Sequence, residues 1–325
     1  MRSATLYRYL LPMDSGVILR DIRLTHREGL VVALTQGDKT SLGEIAPLAG
    51  FSDETLEQAI TQTQILLQDW TQGKEANLDV LYPSVAFGFS VALYQLADDL
   101  PLAANYQVAP LCSGDPDEIV AKLALMQGQK IAKIKVGFYE PIRDGLVVNM
   151  LLEAIPELYL RLDANRQWSL AKAIKFADYI APTLRSRICF IEEPCQSIQQ
   201  SLSFSEQTGI AIAWDESSRS ADFHLAAQQG LSAIVIKPTL VGSIEKVMQL
   251  VKKARNLGLQ PVISSSLESS LGLNHLARLA HWLTPNVIPG LDTIDLFAAQ
   301  LETPWPESTL PLQPLEQCEV LWQSQ

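Results

Sequence analysis

A chain of 325 residues that is 47% hydrophobic and 19% charged can bury a large core, which excludes a disordered or low-complexity polypeptide. Its formal net charge is −11 and no cluster of Lys and Arg is interleaved with aromatics, so non-specific nucleic-acid binding is excluded as well. No apolar run reaches the ~18 residues of a membrane span. The opening twelve residues, broken by Arg2 and Arg8, read as a strand rather than a signal peptide, and a cytoplasmic protein is expected.

Residues 1–105 read as an α+β domain. Leu6–Leu11, Gly16–Leu19, Leu30–Thr35 and Ser41–Ile45 look like short strands joined by turns at Met13-Asp14-Ser15-Gly16 and Gln36-Gly37-Asp38-Lys39, most simply as an antiparallel meander. Ser52 can cap a helix in which Leu56, Ile60, Thr63, Leu67 and Trp70 recur every three or four residues, with Gly73 ending it. A second helix is expected from Pro83 toward Leu100, apolar all round and therefore buried. The Gly- and Pro-rich stretch 43–52 has no phosphate-loop spacing and reads either as a mobile loop able to cover a site or as a plain connector.

From about Val108 the pattern becomes strand, helix, strand, helix. Strands are expected near 108–111, 131–136, 158–163, 188–192, 211–215, 233–237, 260–264 and 287–290. Asp115-Pro116, Ser169 and Ser243 can start helices, and Gly209, Gly230 and Gly258 can follow helix ends. Eight such units in residues 106–300 imply a parallel barrel, with its site at the strands' C-terminal ends. The tail 301–325, with Pro304, Pro306, Pro311 and Pro314, is expected to pack irregularly back on the first domain.

Five of the strands end in charge: Lys135, Asp163, Glu192, Asp215 and Lys237, at steps of 28, 29, 23 and 22 residues. Any one carboxylate could be a helix cap or a surface ion pair. Three at successive strand ends converge and need a cation, and an all-oxygen set suits Mg²⁺, with Mn²⁺ also acceptable. Lys133 and Lys135, two apart, point the same way from one strand, with Lys237 facing them. Lysines snorkelling at strand ends are the bland alternative, whereas a base beside a cation suits removal of a proton next to a carboxylate. This chemistry needs no organic cofactor, and no dinucleotide fingerprint or Ser/His/Asp arrangement is present. Ser264, Ser265 and the following Ser269 and Ser270 place hydroxyls and amides at a helix N-terminus, either as a carboxylate site or as caps. Gly290 either admits a substrate to the backbone or belongs to a plain turn. The cysteines (112, 189, 195 and 318) and histidines (26, 224, 275 and 281) lack metal spacing and read as structural.

Lys133-Ile134-Lys135, Leu162-Asp163-Ala164-Asn165, Ile191-Glu192-Glu193-Pro194, Trp214-Asp215-Glu216-Ser217 and Ile236-Lys237-Pro238 resemble the muconate-lactonising subgroup of the enolase superfamily. Pro83 to Gly88, Ala103 to Tyr106, Ser264 to Gly272 and Pro289 to Thr293 extend the resemblance to a branch of dehydratases, nearly end to end. It implies an α/β fold, a modified (β/α)7β TIM-like barrel with an N-terminal α+β capping domain. It also implies a Mg²⁺-dependent lyase that makes an aromatic acid from a hydroxycyclohexadiene carboxylate, and a monomer with no nucleic-acid or membrane partner is expected.

Carried over by position, Asp163, Glu192 and Asp215 hold the metal, Lys135 moves the proton and Lys237 stabilises the enediolate. Lys133 and Arg161 support Lys135 and the carboxylate, and Ser264, Ser265 and Gly290 contact the substrate's side arm. The rival within the subgroup is a dipeptide epimerase or N-acylamino acid racemase. Dipeptide epimerases carry an Asp-x-Asp pair after the last strand, whereas Asp292 and Asp295 here are spaced Asp-x-x-Asp. A muconate-type cycloisomerase and a non-catalytic carboxylate-binding barrel are further, weaker rivals.

Overall fold

The computed structural model describes residues 1–14, 18–19, 22–112, 114–219 and 222–324. The N-terminal part contains β1 (Arg2–Pro12), β2 (Ile18–Leu19), β3 (Ile22–Arg23), β4 (His26–Gln36), β5 (Lys39–Ile45), α1 (Leu56–Thr71) and α2 (Pro83–Leu96). The expected turn at Ser15-Gly16 and the first residues of the Gly16–Leu19 strand lie outside the described residues. Thr55, not Ser52, caps α1: its hydroxyl accepts from Gln58 N while the Gln58 side chain accepts from Thr55 N, a reciprocal capping box. Ser52 instead accepts from Leu48 N within a tight turn. Pro83 opens α2, where its missing N–H costs nothing, and nine consecutive residues from Ser84 to Ala92 are buried.

The (β/α) part runs through β6 (Leu111–Cys112), α3 (Pro116–Ala124), β7 (Ile131–Lys135), α4 (Pro141–Ala154), β8 (Tyr159–Asp163), α5 (Leu170–Asp178), β9 (Ile188–Glu192), α6 (Ile198–Thr208), β10 (Ile212–Trp214), β11 (Leu231–Ile236), α7 (Pro238–Val241), α8 (Ile244–Asn256), β12 (Gln260–Ile263) and α9 (Ser270–Leu283). The tail adds β13 (Gln300–Leu301), β14 (Leu312–Gln313) and β15 (Glu319–Gln323). Asp115 and Ser169 cap α3 and α5 through their side chains, and Gly209 closes α6 in the left-handed conformation. Gly230 follows no helix: among the described residues only a short 3-10 turn, Glu216–Arg219, stands between β10 and β11.

The chain divides into two compact units, Met1–Gln107 with Ile236–Leu250 and Ile263–Gln325, and Val108–Val235 with Val251–Val262. The first unit thus takes in segments well beyond a cut at residue 105. Its antiparallel sheet has the order β15-β1-β4-β5, with β1 and β4 in register from Arg2↔Gln36 to Pro12↔His26. Alternation sorts the side chains: Ala4, Leu6, Leu30, Val32 and Leu34 pack on α1 and α2, while Tyr9, Leu11 and Val31 pack on Leu271, Phe297 and Leu301. Each such burial stabilises by roughly 1.5–3 kcal/mol. The tail packs back as expected but ends as an edge strand, β15 on β1, with a register shift between Leu6 and Tyr7. Segment 43–52 takes the connector form: Gly43 to Ile45 finish β5, and buried Arg27 holds the carbonyls of Ala46 and Pro47 at 2.7 and 2.8 Å.

The second unit carries a seven-stranded sheet in the order β12-β11-β10-β9-β8-β7-β6. Parallel strands in sequential order, with α-helices between all but β10 and β11 among the described residues, are the α/β pattern of a TIM-like fold. The expected eighth strand at 287–290 is, among the described residues, only an isolated bridge from Gly290 to Ser264.

Candidate active site

Register places the charged residues. Parallel pairing sets Lys135 beside Asp163 and Asp163 beside Glu192; one step deeper, Lys133 lies beside Arg161 and Arg161 beside Phe190. Glu192 in turn pairs with Ala213, two residues before Asp215. Alternation therefore turns Lys133, Lys135, Arg161, Asp163 and Glu192 to one face of the sheet.

On that face Lys133 Nζ lies 2.6 Å from Glu192 Oε2 and 3.0 Å from Asp163 Oδ2. Lys135 Nζ lies 2.9 Å from the same Asp163 oxygen and 2.8 Å from Asn165 Oδ1. Both carboxylates are nearly inaccessible, at 5% and 4% side-chain exposure, while Lys135 keeps 31%. Lys135 is thus the amine of the group best placed to meet a small molecule.

Burial acts to lower the proton affinity of Lys133, but the pull of Asp163, Glu192 and Asp215 outweighs it, so the ammonium is held charged. Burial pushes the Glu192 carboxyl up to about 7, opposed by Lys133 and reinforced by the charges of Asp163 and Asp215. Asp215 is buried and close enough to act on both. Among the described residues no three or more His, Cys, Asp or Glu side chains already surround one point. Yet oxygens of Asp163 and Glu192 already converge on a single cation, the Lys133 ammonium, with the Asp215 charge nearby. Such an all-oxygen donor set fits a hard divalent ion. Arg161 is buried with its guanidinium 5.6 Å from the centre of the Phe190 ring, and burial lowers its proton affinity.

Two residues without an assigned part in the sequence reading belong to the same cluster. Asn165, at φ +44°, accepts from Lys135. Glu193, at φ +39°, turns its carboxylate to the backbone of the Asp215 turn. Both stood within motif segments, and only the fold shows what they touch.

The remaining predicted residues lie in the first unit. Lys237 follows β11 directly and holds the N-cap position of α7, half-buried. Ser264, Ser265 and Gly290 are brought together: Ser264 Oγ donates to Gly290 O at 3.1 Å and Ser265 N to the same carbonyl at 3.0 Å. A Cβ on Gly290 would stand 2.7 Å from Ser264 Oγ, so the close approach that this glycine permits is that of Ser264.

The N-terminus of α9, read either as a carboxylate site or as caps, already has a carboxyl group of the chain on it. Glu44 Oε1 accepts from Ser269 N at 3.0 Å and from the Tyr9 hydroxyl. Glu268 accepts from Ser266 N, Ser266 Oγ and Thr239 Oγ1 at 2.6–2.7 Å. A helix N-terminus attracts negative charge, and the chain itself supplies it from β5. Ser269 makes no side-chain cap, and Ser270 Oγ bonds to Leu301.

Residues 1–96 match the family model "MenC, N-terminal domain" and residues 118–308 match "Enolase C-terminal domain-like". The o-succinylbenzoate synthase of Vibrio cholerae is 61% identical over 329 residues, covering 100% of this chain and 99% of the relative. That of Yersinia pseudotuberculosis is 59% identical over 322 residues, with 99% of each covered. The chain belongs to the o-succinylbenzoate synthase family. Membership in this branch of the enolase superfamily makes it an enzyme of the lyase class.

Among solved structures, the o-succinylbenzoate synthase of Thermosynechococcus elongatus, with Mg in its active site, aligns at a TM-score of 0.74. It is 24% identical, with 91% of this chain and 94% of that one covered. The L-Ala-D/L-Glu epimerase of Bacillus subtilis aligns at 0.75 with 19% identity and 91% of each chain covered. Such neighbours show the shared fold alone, with synthases and epimerases on one scaffold. The full-length relatives at 59–61% identity decide the branch, and the epimerase reading is not favoured. Among the described residues no helix is long and apolar enough to cross a membrane.

Proposed function

We propose that this chain converts 2-succinyl-6-hydroxy-2,4-cyclohexadiene-1-carboxylate to 2-succinylbenzoate, with loss of water, in menaquinone biosynthesis. The observation that carries the proposal is the full-length match at 61% identity, joined to a lysine at the end of β7 beside the successive strand ends Asp163 of β8 and Glu192 of β9. Asp163, Glu192 and Asp215 hold Mg²⁺, or Mn²⁺, which when bound supplies positive charge for the substrate carboxylate.

The protein groups do the rest. Lys135 takes the proton α to the carboxylate, breaking the C–H bond; the electron pair forms the enediolate, whose charge Lys237 stabilises. Collapse of the enediolate makes the ring double bond and breaks the C–O bond. Lys135 returns its proton to the departing hydroxide, so that water leaves and the lysine is ready for another cycle. Lys133 and Arg161 orient Lys135 and the carboxylate, and Ser264 and Ser265 contact the succinyl arm. Gly290 contributes by admitting the Ser264 hydroxyl.

Within this reading residues 1–105 and the tail 301–325 form the capping domain, and 106–300 form the catalytic barrel. The enzyme acts as a cytoplasmic monomer on a small carboxylate, without nucleic-acid or membrane partner. The test follows loss of the diene absorbance on adding purified protein with and without Mg²⁺. Metal-dependent decay that disappears in Lys135→Ala and Lys237→Ala supports it. A folded, metal-loaded protein that leaves the diene intact refutes it.

A further inference from the structure

We infer that Glu193 is a positioning residue that fastens the three carboxylate-bearing strand ends to one another. This rests on the reading of Asp163, Glu192 and Asp215 as the metal set. Glu193 comes directly after Glu192, so the two side chains leave the end of β9 in different directions: Glu192 meets Lys133, and Glu193 meets the turn after β10. Its Oε1 accepts from Asp215 N at 3.0 Å and from Ser217 N at 2.7 Å, and its Oε2 accepts from Ser217 Oγ at 2.8 Å.

The same residue reaches back to the turn after β8. Arg166 N donates to Glu193 O at 2.9 Å, and Arg166 Nε stands 3.5 Å from Glu193 Oε2. That turn is itself closed on a metal-set residue, because Asn165 N donates to Asp163 Oδ1 at 3.1 Å. Glu193 N, finally, donates to Ala213 O at 3.1 Å. One residue, 2% exposed, therefore ties the chain after Asp163, the chain after Glu192 and the backbone of Asp215 into a single frame.

The backbone fits this role. Asn165, Arg166 and Glu193 all have positive φ, at 44°, 60° and 39°, where a side chain normally disfavours the conformation. Such geometry persists only when the surroundings over-determine it: the bonds between Arg166 and Glu193 and from Glu193 to the Asp215 turn do so for these two, and Asn165 is held by Asp163 and Lys135. Groups that orient metal ligands typically change metal affinity 10- to 100-fold when removed.

The experiment titrates the full chain with Mn²⁺, following free ion by electron paramagnetic resonance, in wild type, Asp215→Asn, Glu193→Gln and Glu193→Gly. Glu193→Gly removes the carboxylate while easing the positive φ, and is expected to weaken Mn²⁺ binding 10- to 100-fold. Glu193→Gln keeps an acceptor for the two backbone amides and is expected to stay within about fivefold of wild type. Mn²⁺ binding unchanged in Glu193→Gly, at a temperature well below its melting point, overturns the inference, since loss of stability alone leaves that affinity in place. If Glu193→Gly does not fold, Glu193→Asp, which draws the carboxylate back by one methylene, takes its place with the same expected loss and the same overturning result. Wild-type binding in Asp215→Asn would instead refute the metal set itself, and Glu193 positioning with it.

Discussion

Replacing Lys133 by Met keeps the bulk of the side chain and removes the ammonium that stands between Glu192 and Asp163. Asp163 retains Lys135 at 2.9 Å, but Glu192 loses its 2.6 Å partner in a position where its side chain is only 4% exposed. Breaking a buried pair on one side costs about 3–5 kcal/mol, because the remaining charge is left uncompensated. At ~2 °C per kcal/mol this lowers the melting temperature by about 6–10 °C. Lys133 itself opposes the rise of the Glu192 carboxyl to about 7, so its removal pushes that carboxyl further up and protonation softens the loss except at high pH; the melts are therefore run at pH 9 in EDTA. Millimolar Mg²⁺ is expected to restore most of the difference, since a divalent ion replaces the missing charge, and to raise Lys133→Met more than wild type. Equal melting of the two proteins in EDTA, or an equal gain on adding Mg²⁺, would refute the assignment of Lys133 as counter-ion of this cluster.

His275 on α9 is buried and burial lowers its pKa to about 3, with Arg278 adding to the effect. The unfolded chain takes up the proton near pH 6.5, so stability is complete above that pH and falls as the pH drops toward 3, by about 2 kcal/mol at pH 5. Urea unfolding of wild type and His275→Gln at pH 7.5 and pH 5 checks this; a difference between the two proteins that does not change with pH contradicts it. Gly272→Ala places a Cβ 1.9 Å from Glu44 Oε2 and 2.7 Å from Glu268 Cβ, both of which are held by other bonds. Overpacking there is expected to cost about 3 kcal/mol, visible as a lower melting temperature, and wild-type melting would show that Glu44 is free to move aside.

The carboxylate and lysine positions were legible in the chain because a (β/α) repeat writes one strand end every 22–29 residues, and alternation along each strand then decides which residues face one another. Helix starts at Asp115 and Ser169 were legible because a cap bonds to amides only two or three residues away, and that at Pro83 because a proline in the first turn lacks only an N–H that the helix leaves unpaired. What the sequence left open depends on partners far apart in the chain. The α9 N-terminus read either as a carboxylate site or as caps, and Glu44, 225 residues away, is bonded to it. Gly290 read equally as an opening for substrate or a plain turn, and Ser264 lies against it. The tail became a strand only because β1 offered it an edge, and Glu193 acquired a role only when the turns after β8 and β10 came to lie on either side of it. Local pattern sets which face and which end of an element a residue occupies; what meets it there is decided by tertiary packing, which no spacing along the chain encodes.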